Sequence, residues 1–269
     1  MSTKIKFLLL ELQITIYARS REKVNNQSSL ISANNDGVDK IKKKVTIIQG
    51  DFENLIPFES GIIGHTLLFL LVADIPKQPG VKQIVDIEAK RISWRSYSLI
   101  DRHLDAEKVI YAIPDRKYYV TLRPTNFMSN IFFLCYDGTI QSEDTLIDSA
   151  GPEEKQEWIS LYDIAQVAVN ILQDPIDKHG DAAYDLVGDI KTLLERAAIL
   201  STTLGCTITY KQLLVQECYK YLIKNARMDH LEAHFFATYQ GCSPITRALS
   251  LLLGRASETY EIWATKNKQ

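Results

Sequence analysis

The chain has 269 residues, of which 46% are hydrophobic and 24% charged, and its net charge is −2. This composition is typical of a globular protein with a sizeable core, and the near-zero charge disfavours a nucleic-acid partner. Four widely spaced cysteines without a CxxC pair disfavour a disulfide framework or a zinc site, and the longest apolar run, 67–73, is far too short to span a membrane. We therefore expect no membrane association and a cytoplasmic location, with a nuclear one also open.

Five short apolar runs predict buried parallel strands. They are rich in Val, Ile, Leu and Tyr and show little alternation, as expected when helices cover both faces of a sheet. The runs are 14–18, 45–49, 66–73, 82–87 and 118–124. The segment 25–44, rich in Asn, Ser and Lys, predicts a surface loop.

The second half of the chain has helical patterns. One amphipathic helix is ended by Asp174–Pro175, and its apolar face is formed by Ile164, Val167, Ala168, Ile171 and Leu172. Further helices are predicted at 192–205, where Gly205 is a natural C-cap, at 211–225 and at 228–241, with a strand at 182–188. The order predicts an α/β fold: an open parallel sheet flanked by helices, with a smaller helix-rich C-terminal lobe.

The strand at 14–18 reads like the second strand of a dinucleotide-binding fold, and it is followed by Arg19, Ser20, Arg21 and Lys23. In a dinucleotide-binding fold, the tip of the second strand meets the adenosine ribose, where arginine accommodates the 2′-phosphate of NADP. A solvated basic turn is the alternative.

Three further sites are candidates for ligand contact. Asp51 and Phe52 follow the second apolar strand, where they could meet an adenine ring. His103 and Glu107 share a helix face, while Lys108 points about a quarter-turn away. Asn126 follows the strand at 118–124, at the kind of carboxyl end where ligands bind in open α/β sheets. Ordinary turns and surface charge are the alternatives.

Taken in order, nine stretches resemble the NmrA-like family of atypical short-chain dehydrogenases. The resemblance runs from about Ile14 to Trp263, and the ordered set is more specific than any single motif. The stretches are "ARSREKV", "IIQGDF", "GVKQIVDI", "HLDAEKVI", "VTLRPTNFMSN", "WISLYDIAQVAVNILQDP", "YDLVGD", "LGCTITY" and "LLLGRASETYEIW".

The resemblance implies a Rossmann-like domain over 1–269, with an NAD(P)-binding part at about 1–150 and a mainly C-terminal substrate or cap part at about 151–269. NADP(H) is expected rather than NAD(H). The implied site residues are Arg19, Ser20 and Lys23 at the adenosine phosphate end, Asp51 and Phe52 at the adenine, Leu71 and Val72 along the cofactor path, and Lys108 and Asn126 at the nicotinamide or substrate.

Two departures from the family pattern stand out. No glycine precedes Gly37, so the glycine-rich turn that normally approaches the pyrophosphate is absent from this sequence, which leaves open that no cofactor binds. Only three residues separate Pro76 from Gly80, where the family has a crossover helix, so the strands at 66–73 and 82–87 are not expected to be parallel neighbours joined in the usual way. Missing segments and real divergence are both possible explanations.

The Tyr-x-x-x-Lys pair of typical short-chain dehydrogenases is also absent, as it is from many NmrA-like proteins. The resemblance implies Lys108 as the candidate catalytic residue. Two functions are expected from the resemblance. The first is an NADPH-linked reductase of a small carbonyl or quinone substrate. The second is a non-catalytic protein on the same fold, either a redox-sensing regulator with a protein partner or a degenerate pseudoenzyme with weak or no cofactor binding.

Overall fold

The computed structural model describes residues 14–18, 20–22, 24, 45–50, 54, 56–65, 67–70, 81–88, 98–132, 138–238 and 246–268. Its largest sheet has four parallel strands in the order β3–β4–β5–β9. These strands are β3 (Leu67–Leu70), β4 (Gln83–Ile87), β5 (Tyr118–Pro124) and β9 (Ala183–Leu186). The predicted α/β fold with a parallel sheet is confirmed.

A second parallel pair is formed by β1 (Ile14–Ala18) and β2 (Val45–Gln49), with the bounds that the apolar runs predict. The short helix α1 (Ile56–Gly61) packs on this pair. A hydrogen bond of 2.9 Å joins Thr15 Oγ1 of β1 to Nε2 of His65, a residue that lies just before β3.

The pairing of β3 with β4 corrects the prediction that these two strands are not parallel neighbours. Leu67 is in register with Gln83, and Leu70 with Asp86. Residues 71–82 connect the last residue of β3 to the first residue of β4. That length reaches the roughly dozen residues that a parallel crossover requires.

The two faces of the four-stranded sheet are covered differently. Val85, Val120 and Leu122 are fully buried against helix α3 (Leu161–Gln173), whereas Ile84 and Tyr119 contact Ile110 of helix α2 (Ser98–Tyr111). Successive side chains of a strand point to opposite faces, so alternate residues of β4 and β5 meet different helices.

The described residues after β5 form short strands as well as helices. Strand β8 lies between β10, which is antiparallel to it, and β6, which is parallel, while β7 and β11 form a parallel pair. The strands are β6 (Asn126–Phe127), β7 (Thr145–Asp148), β8 (Lys155–Ile159), β10 (Asp189–Thr192) and β11 (Thr209–Gln212). The helices are α4 (Leu193–Leu204), α5 (Val215–Lys224), α6 (His230–Thr238), α7 (Ala248–Leu253) and α8 (Tyr260–Lys266).

Helix α4 has the ends that its sequence predicts. Thr192 and Glu195 form a reciprocal capping box at its start, and Gly205, at a φ of 75°, forms its C-cap. By contrast, the helix predicted at 211–225 begins only at Val215, because Thr209–Gln212 pair with β7. Within the described part of the chain, no helix is both long and apolar enough to cross a membrane.

Candidate functional site

Of the predicted ligand contacts that the structure describes, Ser20 and Asn126 lie at the carboxyl ends of parallel strands, and Lys108 lies on a helix. Ser20 follows β1, Gly50 follows β2, Glu88 follows β4, and Thr125 and Asn126 follow β5. In open α/β sheets, ligands bind outside these ends.

The end of the β1–β2 pair is organised around Tyr17. Its ring packs so closely over Gly50 that a Cβ atom there would overlap it, and it contacts the Phe58 ring edge-on with 5.2 Å between centroids. The Tyr17 hydroxyl donates to the Asn54 carbonyl at 3.2 Å. A side chain at residue 50 would therefore force the Tyr17 ring to shift away from this carboxyl end.

The basic turn after β1 is described only in part. Half-buried Ser20 accepts a helical main-chain hydrogen bond from the Val24 N–H at 3.3 Å. Arg21 Nη2 donates to the Ile47 carbonyl of β2 at 2.7 Å, so this arginine holds the turn against the sheet. Six of the predicted contacts lie outside the described residues, and their roles stay predictions: Arg19, Lys23, Asp51, Phe52, Leu71 and Val72.

The end of β5 presents hydroxyl groups that need a partner. Asn126 is half-buried and is in register with Trp158 of β8. On either side of it, Thr125 Oγ1 and Ser129 Oγ are buried and have no hydrogen-bond partner within the described part of the chain. Buried hydroxyls are normally paired, so these two are suited to a polar ligand group such as a carboxamide.

Lys108 lies on the exposed side of helix α2. Its Nζ is 2.8 Å from Asp105 Oδ1, and the two side chains are 75% and 72% exposed. Its assignment as a catalytic residue stays a prediction.

The opposite, inner face of α2 covers a polar cluster that the sequence did not predict. We call it the α2 cluster, and its members are Asp86 and Glu88 from β4 and its end, Tyr119 and Arg123 from β5, and Glu107 from α2. The Tyr119 hydroxyl donates to Asp86 Oδ2 at 3.1 Å and is 3.3 Å from Glu88 Oε1. Arg123 donates from Nη2 to Glu107 Oε1 at 2.6 Å and from Nε to Glu88 Oε2 at 3.5 Å.

The electrostatics of the α2 cluster are dominated by burial. Burial raises the pKa of Asp86 to about 7, and burial together with the neighbouring Glu107 carboxyl raises the pKa of Glu88 to about 8. Burial also raises the pKa of Tyr119 far above its usual range and lowers that of His103 on the same face of α2. At neutral pH the Glu88 carboxyl is therefore mostly neutral.

The sequence does contain a signal for this cluster. Asp86 and Glu88 alternate with Val85 and Ile87 in "KQIVDIEA", which places both acids on one face of a buried strand. The spacing of His103 and Glu107 then places both on one side of α2. The described ranges contain no group of three or more His, Cys, Asp or Glu residues that could hold a metal ion.

Comparison with curated proteins identifies relatives that are dehydrogenases. Over 185 residues, the chain is 29% identical to festuclavine dehydrogenase of Aspergillus fumigatus, an alignment that covers 68% of this chain and 57% of that protein. The chain spans about half the length of the curated relatives it matches. No family model matches the sequence.

Solved structures match nearly the whole chain. The NADPH-dependent quinone oxidoreductase of Escherichia coli, complexed with NADPH, has a TM-score of 0.73 at 20% identity, covering 96% of this chain and 92% of that one. NmrA, a negative transcriptional regulator in complex with NAD, has a TM-score of 0.67 at 14% identity, covering 96% and 95%. The resemblance seen in the ordered stretches is thus confirmed at the level of the fold, which is the Rossmann fold of NmrA and of this reductase.

Proposed function

We propose that this chain, with its NmrA-like Rossmann fold, is an NAD(P)-binding reductase that transfers a hydride from NADPH to a small carbonyl or quinone. The observation that carries the proposal is the carboxyl end of β5, where Asn126 is flanked by the buried hydroxyls of Thr125 and Ser129, for which the described residues offer no hydrogen-bond partner. The dehydrogenase relative and the NADPH-bound oxidoreductase structure support the same reaction class.

The residues at the strand ends fit a dinucleotide. The basic turn after β1 suits a phosphate, and the hydroxyls after β5 suit the amide of a nicotinamide ring. We assign the adenosine phosphate to Arg19, Ser20 and Lys23, the adenine to Asp51 and Phe52, the cofactor path to Leu71 and Val72, and the nicotinamide or substrate end to Lys108 and Asn126.

In this proposal the protein orients the reactants at the ends of the strands. When bound, the nicotinamide provides the hydride. Thr125, Asn126 and Ser129 hold polar groups at the end of β5 and keep water from them. The proton comes from Lys108 or from a water molecule, and Lys108 must leave Asp105 to deliver it.

The basic turn is expected to favour NADP(H) over NAD(H). Replacing Arg19 by Ala (R19A) should weaken NADPH binding about 10- to 100-fold, since one charge-assisted hydrogen bond is lost, and should leave NADH binding unchanged. Titration calorimetry with each cofactor measures this. Arg247→Ala, which removes an exposed arginine far along the chain, is the matched control. An unchanged preference in the R19A variant would mean that the tip of β1 does not contact the 2′-phosphate.

Turnover separates the reductase from a sensor on the same fold. We expect micromolar NADPH binding and quinone-dependent NADPH oxidation. Binding without oxidation of NADPH by any of a panel of quinones and enones would favour a redox-sensing regulator such as NmrA. If neither cofactor binds, both cofactor-based functions are wrong for this chain.

A further inference from the structure

The α2 cluster contains more acidic groups than its cation can balance. Asp86, Glu88 and Glu107 contribute three carboxyls, and Arg123 contributes one guanidinium. Asp86, Glu88 and Glu107 are only 2%, 4% and 7% exposed. The guanidinium is committed to Glu107 at 2.6 Å, with a weaker contact of 3.5 Å to Glu88. Two carboxyls are therefore in excess of the available positive charge.

The excess carboxyls have few hydrogen-bond donors. The Tyr119 hydroxyl has a single proton, yet it faces both Asp86 Oδ2 and Glu88 Oε1. Asp86 Oδ1 is buried and has no hydrogen-bond partner among the residues that the structure describes. An ionised carboxylate in such surroundings is strongly disfavoured, whereas a neutral carboxylic acid is tolerated.

We propose that the α2 cluster is a pH-sensitive lock that holds helix α2 on the sheet while Asp86 and Glu88 are protonated and releases it when they ionise. In the protonated state Arg123 and Glu107 form a neutral pair. In the ionised state three carboxylates face one guanidinium beneath α2. Their repulsion acts between Glu107 on the helix and the two acids on β4.

The lock includes the titratable groups that face one another from the three elements. They are Asp86 and Glu88 on the β4 side, Tyr119 and Arg123 on β5, and His103, Glu107 and Tyr111 on α2, of which Tyr111 packs edge-on against the Tyr119 ring. His103 does not neutralise the acids, because burial lowers its pKa and it loses its own charge. Arg123 lies two residues before Thr125. Release of α2 would therefore break the contact between Arg123 and Glu107 next to the carboxyl end of β5.

The direction of the pH effect follows from the raised pKa values. Asp86 and Glu88 keep their protons in the folded state to about pH 7 and about pH 8. The stability that this contributes is complete below the pKa values of the unfolded chain and is lost as pH rises through 7 and 8. The lock is thus closed at pH 6 and open at pH 9.

The test compares wild type with Glu88→Gln (E88Q), in which a neutral amide replaces the acid. From urea titrations, the wild-type unfolding equilibrium constant should rise about 1,000-fold between pH 6 and pH 9, about 100-fold from Glu88 and about 10-fold from Asp86. In E88Q most of this rise should disappear. The matched control Glu153→Gln changes an exposed glutamate and should behave as wild type. An equal rise in wild type and E88Q would overturn the proposal.

Two measurements on wild type keep the test decisive if E88Q does not fold. The side-chain carboxyl carbon of Glu88, followed by NMR, should titrate near pH 8; titration below pH 6 would overturn the lock. Hydrogen-exchange protection factors in Ser98–Tyr111 should fall at pH 9, while those in α4 stay high. Equal losses in both helices would mean general destabilisation rather than release of α2. None of these results depends on cofactor binding.

Discussion

At the scale of single residues, the direction of a side chain decides whether it faces the ligand end of the sheet or the α2 cluster. Glu88 follows β4 at the carboxyl end of the sheet, where a ligand would bind, yet its side chain is turned under α2 and paired with Arg123. Lys108, which we expect to be catalytic, lies exposed beside Asp105, and its catalytic role stays a prediction. The sequence identified the helix that carries both Glu107 and Lys108, but not which of the two faces the sheet.

Gly188 provides a prediction at this scale. A Cβ atom there would lie 2.8 Å from the Trp158 carbonyl oxygen and 3.1 Å from Ile159 Cα, both main-chain atoms that cannot rotate away. Gly188→Ala should therefore lower the free energy of unfolding by about 1–3 kcal/mol. Urea unfolding measures it. Gly151→Ala is the control, because its new methyl group would meet only Glu154 Cβ at 4.0 Å. Equal stability of the two variants would contradict the close approach.

At the scale of elements, the start of α3 anchors the C-terminal segment. Asp163, fully buried in the first turn of α3, accepts hydrogen bonds of 2.7 Å from Arg255 Nη2 and from the Glu258 N–H. Ser160 caps the same turn by accepting from the Asp163 N–H. One carboxylate therefore joins α3 to the segment between α7 and α8.

Asp163→Ala is expected to loosen this junction. It leaves Arg255 and a buried N–H without their acceptor, which should cost about 3 kcal/mol. Chemical denaturation should show this loss, and protease cleavage between α7 and α8 should become faster. Asp177→Ala, at an exposed position, is the control and should change neither. If cleavage of the Asp163 variant is as slow as that of wild type, Asp163 is not the anchor.

At the scale of the whole molecule, the residues that we propose to bind the cofactor follow strands of two different parallel sheets. The β1–β2 pair is followed by the basic turn, and Thr125 and Asn126 follow β5 at the end of the four-stranded sheet. A dinucleotide contacting both would connect them, so its binding free energy should appear as stability of the whole fold.

NADPH should therefore stabilise the protein against unfolding. At 100 times its Kd, the expected gain is about 2.7 kcal/mol, because the ligand binds only the folded state. Thermal and urea unfolding with and without NADPH measure it. R19A should require more NADPH for the same gain. A gain equal for NADPH and NADH at matched concentrations would contradict the predicted preference.

Local patterns in the sequence were enough to predict the strands at 14–18, 45–49 and 118–124 and the ends of α3 and α4, because apolar runs and caps act over a few residues. The existence of strand β11 and the parallel pairing of β3 with β4 could be seen only in the tertiary structure, because the hydrogen bonds of each strand are made with another segment of the chain. The α2 cluster depends most on the tertiary structure. Glu88, Glu107 and Arg123 are far apart in the chain, and their protonation depends on burial that only the packing of α2 on the sheet creates.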